Sequence, residues 1–299
     1  SNDTGAIAFD IITDKATTVD INTKSATTFA ATADFSSVQT MNLASTSSVN
    51  TTGAAALGDK SSSVSIDASG VKGAFNTNVA AYAAGGGSLT IVGSTLAANT
   101  IGVNAGRNEI SITGGIGADV ITLNQVFTSN DEVSMSFDLG TVSTTDSVSF
   151  AAGANITNGT TTFAGVDTVI ALGTLAANAA SFSGQDIAIT AGGLITLSGT
   201  ANADTIDLDG IKTSATGYTL NAGDGNDTIT GSASMTGTQT INAGAGNDTI
   251  TVGANAATVA GGAGDDSIKL GAGADTVVFE ATAVANGKDT ITGLEIQDT

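Results

Sequence analysis

Cysteine, histidine and proline are all missing from this 299-residue sequence, and aromatic residues make up only 4% of it. Without cysteine there are no disulfides, thiolate nucleophiles or cysteine-ligated zinc sites. Without histidine the commonest general base is gone, and with it every Ser-His or Cys-His pairing and the zincin motif. Catalysis by carboxylates alone remains formally open, but no acidic pair sits in a recognisable motif, so an enzyme is not expected. Basic residues are scarce too: 8 Lys and Arg stand against 28 Asp and Glu, a formal net charge of −20. Such a chain lacks the basic footprint that nucleic acid requires. No apolar run approaches the roughly 18 residues of a membrane-spanning helix. Ordinary usage predicts about fifteen prolines. Glycine-rich disordered linkers normally carry proline and charge, so simple disorder fits poorly.

What remains is glycine, 39 residues of it, and a hydrophobic share of 41% drawn mostly from Ala, Val and Ile. Small β-branched side chains suit thin, closely stacked strands better than a large globular interior. The segment Gly114-Gly115-Ile-Gly117-Ala-Asp119-Val-Ile121-Thr122 fits the nonapeptide G-G-x-G-x-D-x-U-x, where U is a large apolar residue. Related copies are Ala222-Gly223-Asp-Gly225-Asn-Asp227-Thr-Ile229-Thr230 and Ala243-Gly244-Ala245-Gly246-Asn-Asp248-Thr-Ile250-Thr251. Two more follow without a gap: Gly261-Gly262-Ala263-Gly264-Asp-Asp266-Ser-Ile268-Lys269 and Leu270-Gly271-Ala-Gly273-Ala-Asp275-Thr-Val277-Val278. A weaker copy at Gly199–Asp207 keeps Asp204 and Ile206, and a frayed one places Asp289 before Ile291. Keeping the frame also exposes copies without the aspartate, Ser234–Asn242 with Gln239 and Val252–Ala260 with Ala257 in its place. Ser234 to Val278 is therefore an unbroken run of nonapeptides.

Each letter has a physical reason. Glycine permits tight turns with φ > 0 and leaves backbone carbonyls unobstructed. Aspartate adds a hard anionic oxygen of the kind Ca²⁺ gathers in shells of six to eight. The x-U-x tail is a three-residue strand whose one inward apolar side chain stacks on those above and below. Thr or Ser at the seventh position forms an outward ladder. Such a strand buries almost nothing alone, so stacking must stabilise it. Gly and Asp are also common turn formers. For Asp119 and Asp204, which lack an in-frame neighbour, the two readings stay open. A stack of Asp227, Asp248 and Asp266 without cations would repel itself.

Over roughly the last hundred residues, and at Gly114–Thr122, the sequence resembles the RTX repeat family of proteins exported by type I secretion. That resemblance implies a right-handed parallel β-roll over 199–299, two nonapeptides per coil, with several Ca²⁺ ions between loops eighteen residues apart. It implies ligation by the carbonyls of positions two and four plus the aspartate of one loop, such as Gly223, Gly225 and Asp227. The next loop on that edge would offer the carbonyls of positions one and three plus its aspartate, such as Ala243, Ala245 and Asp248. Gly244, Gly246 and Asp248 would face Gly261, Ala263 and Asp266 in the same way. Gly262, Gly264, Gly271, Gly273 and Asp275, with Gly115, Gly117, Asp119, Asp204 and Asp289, complete the candidate set. Asp227, Asp248 and Asp266 should line one edge; Gln239, Ala257 and Asp275 occupy the other, so calcium should load mainly on the first.

Residues 1–198 read as an all-β, degenerate solenoid-like region. Alternation marks strands at Val64–Asp67, Leu89–Val92, Ile110–Thr113 and Val133–Asp138. Ala74–Ala84 hints at a short helical turn, and Asp131, Glu132 and Asp138 form either a further cation site or a plain acidic loop. Two phrases recur, Ile66–Lys72 in Ile206–Lys212 and Phe35–Met41 in Phe163–Val169. They resemble phrases of RTX-bearing surface-layer proteins of Gram-negative bacteria. The implied role is a secreted, self-associating surface-layer subunit on the cell exterior, with any polysaccharide anchor outside these residues. An adhesin or biofilm-matrix spacer is the alternative, and the calcium-binding tail of a secreted protease or lipase fits less well. From Ser1-Asn2 at its start and Asp298-Thr299 at its end, the chain is expected to be a fragment of a longer protein.

Overall fold

The computed structural model describes residues 7–9, 17–29, 38–51, 63–79, 87–104, 109–128, 130–141, 145–213, 217–279 and 286–299. The fold is nearly all β, and the chain divides into two compact units, 1–126 with 131–151 and 161–168, and 127–130 with 152–160 and 169–299. Each is a parallel β-solenoid.

In the first unit, successive strands alternate between two sheets. One sheet runs in parallel from Thr18–Thr23 through Thr40–Ser45, Val64–Val71, Ser88–Val92 and Glu109–Thr113 to Val133–Asp138. The other runs from Ile7–Phe9 through Thr27–Phe29, Val49–Asn50, Phe75–Val79, Asn99–Val103 and Val120–Leu123 to Ser147–Phe150. The four strands expected from alternation are thus neighbours in one sheet. Their register places Ile66 on Ile91, Ile91 on Ile112, and Ile112 on Phe137, all fully buried. Burying such a side chain stabilises by about 1.5–3 kcal/mol. Beyond this column Phe137 stacks on Phe163 with centroids 5.8 Å apart, and Phe150 meets Phe163 edge-on.

The helical turn expected at Ala74–Ala84 is corrected in its first half. Phe75–Val79 is a strand, with Phe75, Thr77 and Val79 buried and in register with Asn99, Ile101 and Val103. Pairing on both sides overrides the weak helical preference of a short alanine-rich stretch; residues 80–84 lie outside the described residues. The phrase beginning at Phe35 lies partly outside them as well. The other recurring phrase has a common local cause: Asp67 accepts the N–H of Ser69, and Asp207 that of Asp209, each an Asx turn.

In the second unit one sheet runs through Ala154–Ile156, Leu175–Asn178, Ile195–Ser198, Gly217–Asp224, Thr238–Ala245, Ala257–Ala263 and Thr276–Val278. The facing sheet stacks Thr205–Asp207, Thr228–Thr230, Thr249–Thr251, Ser267–Lys269 and Thr290–Thr292. The eighth-position column Ile206, Ile229, Ile250 and Ile268 is buried, opposite Leu197, Leu220, Ile241 and Val259. The seventh-position column Thr205, Thr228, Thr249, Ser267 and Thr290 faces solvent, as the pleat requires. Among the described residues no helix is long and apolar enough to cross a membrane.

Candidate metal centre

The sixth-position aspartates form a column along one edge of the second unit. From Asp227 on, Oδ1 accepts the backbone N–H of the aspartate one coil earlier. Asp204 N–H donates to Asp227 (2.8 Å), Asp227 to Asp248 (2.7 Å), Asp248 to Asp266 (2.9 Å) and Asp266 to Asp289 (3.1 Å). Asp227, Asp248 and Asp266 therefore share an edge, and Asp204 and Asp289 extend it. The steps are 23, 21, 18 and 23 residues, so only one coil keeps the eighteen-residue spacing.

The loops leading into this column need glycine. At Gly244 φ is +116° and at Gly246 +141°, and a Cβ there would sit 1.8 Å and 1.7 Å from the carbonyl oxygens of Gly223 and Gly225. Gly223 with Gly225, and Gly262 with Gly264, repeat that left-handed conformation. Consecutive loops thus approach backbone to backbone, with Gly225 N–H donating to Ala245 O and Gly246 N–H to Ala263 O, both at 2.7 Å. Each carbonyl keeps a second lone pair for a ligand.

The second carboxylate oxygen divides the aspartates into two sets. In Asp227, Asp248 and Asp266, Oδ2 is buried and has no hydrogen-bond partner. In Asp119, Asp204 and Asp275 it accepts the N–H of the second loop residue, from Gly115 (3.0 Å), Thr200 (2.7 Å) and Gly271 (3.2 Å). Thr200 adds its hydroxyl to Asp204.

The opposite edge follows the same backbone rule with different side chains. Ala257 N–H donates to Asp275 Oδ1 (2.9 Å), and Asp275 N–H to Asp298 Oδ1 (3.0 Å). Gln239 is fully buried there and held at both ends: Oε1 accepts from the Tyr218 hydroxyl (2.9 Å) and Nε2 donates to Ser232 O (2.8 Å). Ser232 belongs to the three-residue insertion at Gly231–Ala233, and its hydroxyl donates to Ile211 O. Burial raises the Tyr218 hydroxyl pKa, so it stays a neutral donor.

The first unit carries a third column. Asn99 N–H donates to Asp119 (2.7 Å), Asp119 to Asp146 (2.7 Å) and Asp146 to Asp167 (2.8 Å). Asn99 Nδ2 also donates to Asp119. The sequence reading missed Asp146, Asp167 and Asp298. Asp146-Ser-Val148 and Asp167-Thr-Val169 keep positions six to eight of the repeat without its double glycine, and that tripeptide was the available signal. Asp131, Glu132 and Asp138 are not brought together as a metal-holding group.

Burial pushes the Asp248 carboxyl up to about 6, with the charges of Asp266 and Asp227 adding to it; the amide of Asp227 acts the other way. Asp227, Asp266 and Asp275 are raised as well, first by burial, then by neighbouring acids. A raised carboxyl favours the folded, metal-free chain below the unfolded pKa, and that contribution is lost as pH rises through the folded value. Calcium binds the ionised form, so it acts in the opposite sense. The metal-free protein is expected to melt higher at pH 5 than at pH 7, and the gain on adding calcium is expected to be larger at pH 7. Thermal melts in chelator and in calcium at both pH values check this; a metal-free melting point that falls between pH 7 and pH 5 contradicts it.

A divalent cation fits this column, because it would supply the missing partner of each orphaned Oδ2 and cancel the repulsion between them. Among the described residues no three Asp, Glu, His or Cys side chains gather as a metal-holding group. Carbonyl oxygens must therefore complete the shell, which suits calcium rather than a metal that prefers nitrogen or sulfur. Comparison with protein families gives a match to the RTX calcium-binding nonapeptide repeat (4 copies) at residues 219–234, 235–256 and 252–281. No curated protein and no solved structure gives a match. The run of loops that carries the orphaned carboxylates is thus a set of RTX calcium-binding nonapeptide repeats, set in a parallel β-solenoid.

Proposed function

We propose that this chain is a non-catalytic, calcium-stiffened segment of a secreted bacterial surface-layer subunit. The observation that carries the reading is the column of buried Asp227, Asp248 and Asp266, each with a carboxylate oxygen that lacks a donor. A solenoid unit with that column would gain rigidity from external calcium, which suits an exported structural protein. The recurring phrases of the first half support the surface layer, and the RTX repeats support export. An adhesin spacer is the second reading, favoured by the net charge of −20, which keeps copies apart unless cations intervene.

Association separates the two. Bound calcium removes charge, and any ion shared between copies adds a directional bridge. Monovalent salt only screens, over a Debye length of about 8 Å at physiological strength. Light scattering is expected to rise in calcium chloride well above its value in sodium chloride of matched ionic strength. Identical curves would discard the layer in favour of the spacer.

A further inference from the structure

We infer that the chain holds two kinds of nonapeptide loop, and that calcium enters only the kind whose aspartate is uncapped. Asp227, Asp248 and Asp266 ligate the ion, while Asp119, Asp204 and Asp275 close their loops without it. The inference rests on the calcium reading above and refines it loop by loop.

The Oδ1 contact to the preceding coil is made by Asp119 and Asp275 as well as by Asp227, Asp248 and Asp266, so it does not discriminate between the kinds. The second oxygen does. A backbone N–H four residues earlier already satisfies it in Asp119, Asp204 and Asp275, whereas the buried Oδ2 of Asp227, Asp248 and Asp266 has no donor. Backbone conformation separates the same two groups. Both loop glycines lie in the left-handed region before each uncapped aspartate, and neither Gly115 and Gly117 nor Gly271 and Gly273 do. To take an ion, a capped loop would have to surrender its N–H and turn its second peptide over. Thr200 is β-branched and meets a steric penalty in that conformation.

Neutral groups finish the capped loops. Asn99 fills the aspartate's place one coil before Asp119. The Tyr218–Gln239–Ser232 knot closes the edge that carries Asp275, and Ala257 stands next to it there. The second loop amide does in these coils what the ion does in the others.

Calorimetric counting of bound Ca²⁺ on the full chain, titrated with calcium chloride after chelation, tests the assignment. Asp275→Asn and Asp119→Asn are expected to keep the wild-type number of ions with affinity within about twofold, and Asp248→Asn to lose at least one ion. Circular dichroism in calcium verifies that each variant is folded, and the Asp119→Asn count decides if Asp275→Asn is not. Loss of an ion from either capped variant, or a full complement in folded Asp248→Asn, overturns the inference. A wild type that binds no calcium overturns the calcium reading itself, a distinguishable result.

Discussion

In chelator, amides between 217 and 279 are expected to exchange nearly as fast as in an unfolded chain, while those of the strands between Val64 and Asp138 keep their protection. The contrast follows from what each region buries. A repeat strand such as Thr249–Thr251 turns one apolar side chain inward, Ile250, and the column beside it holds buried carboxylates that repel one another. The strands between Val64 and Asp138 turn in two or three large side chains each, with Val133, Met135 and Phe137 as the fullest case. An ion that binds only the folded state adds about 2.7 kcal/mol per site at a hundredfold excess over Kd, and chelation removes all of it. Hydrogen exchange read by mass spectrometry, with and without calcium, measures both regions in one chain. Equal protection of 217–279 in the two conditions would show that calcium is not what orders these coils.

Gly246→Ala is expected to destabilise the calcium-loaded protein by about 3–5 kcal/mol, a loss of the size seen when strain and overpacking coincide. The residue has φ +141°, and an added Cβ would lie 1.7 Å from Gly225 O. That oxygen belongs to the neighbouring loop's backbone and cannot step aside without breaking the Gly225 N–H bond to Ala245 O. Gly153→Ala isolates the conformational part. Its φ is +79° with nothing within 4 Å of the added carbon, so about 1 kcal/mol is expected there. Chemical denaturation of both variants in saturating calcium gives the comparison. Equal losses would mean that inter-loop contact adds nothing to backbone strain.

The unbroken nonapeptides were legible because every position in them is fixed by contact: glycine by the approach of the next loop, isoleucine by the core, threonine by the pleat. Coil length was harder to read. The Asp204, Asp227 and Asp289 steps span 23, 21 and 23 residues, and Asp119 to Asp146 spans 27. Extra residues sit between rungs, and the amide-to-carboxylate contact is indifferent to them. A search for eighteen-residue spacing therefore leaves Asp119 and Asp204 without neighbours and passes over Asp146, Asp167 and Asp298. Capping was illegible for another reason. Gly115 and Gly271 are the same residue type as Gly223 and Gly244, and only backbone dihedrals reveal which of them donates to the aspartate.

The amide-to-carboxylate columns also have a direction. In every rung the aspartate belongs to the later coil and the amide to the earlier one. The later coil's seventh residue adds a second clasp, as when Thr249 N–H takes Asp227 O and Ser267 N–H takes Asp248 O. Each turn is closed by chain that follows it in sequence. Synthesis delivers residues N-terminus first, so on a ribosome the newest turn always waits for the coil that completes it. Until that coil arrives, the newest turn's aspartate amide is left without its carboxylate acceptor, so the growing end always carries one unclasped rung.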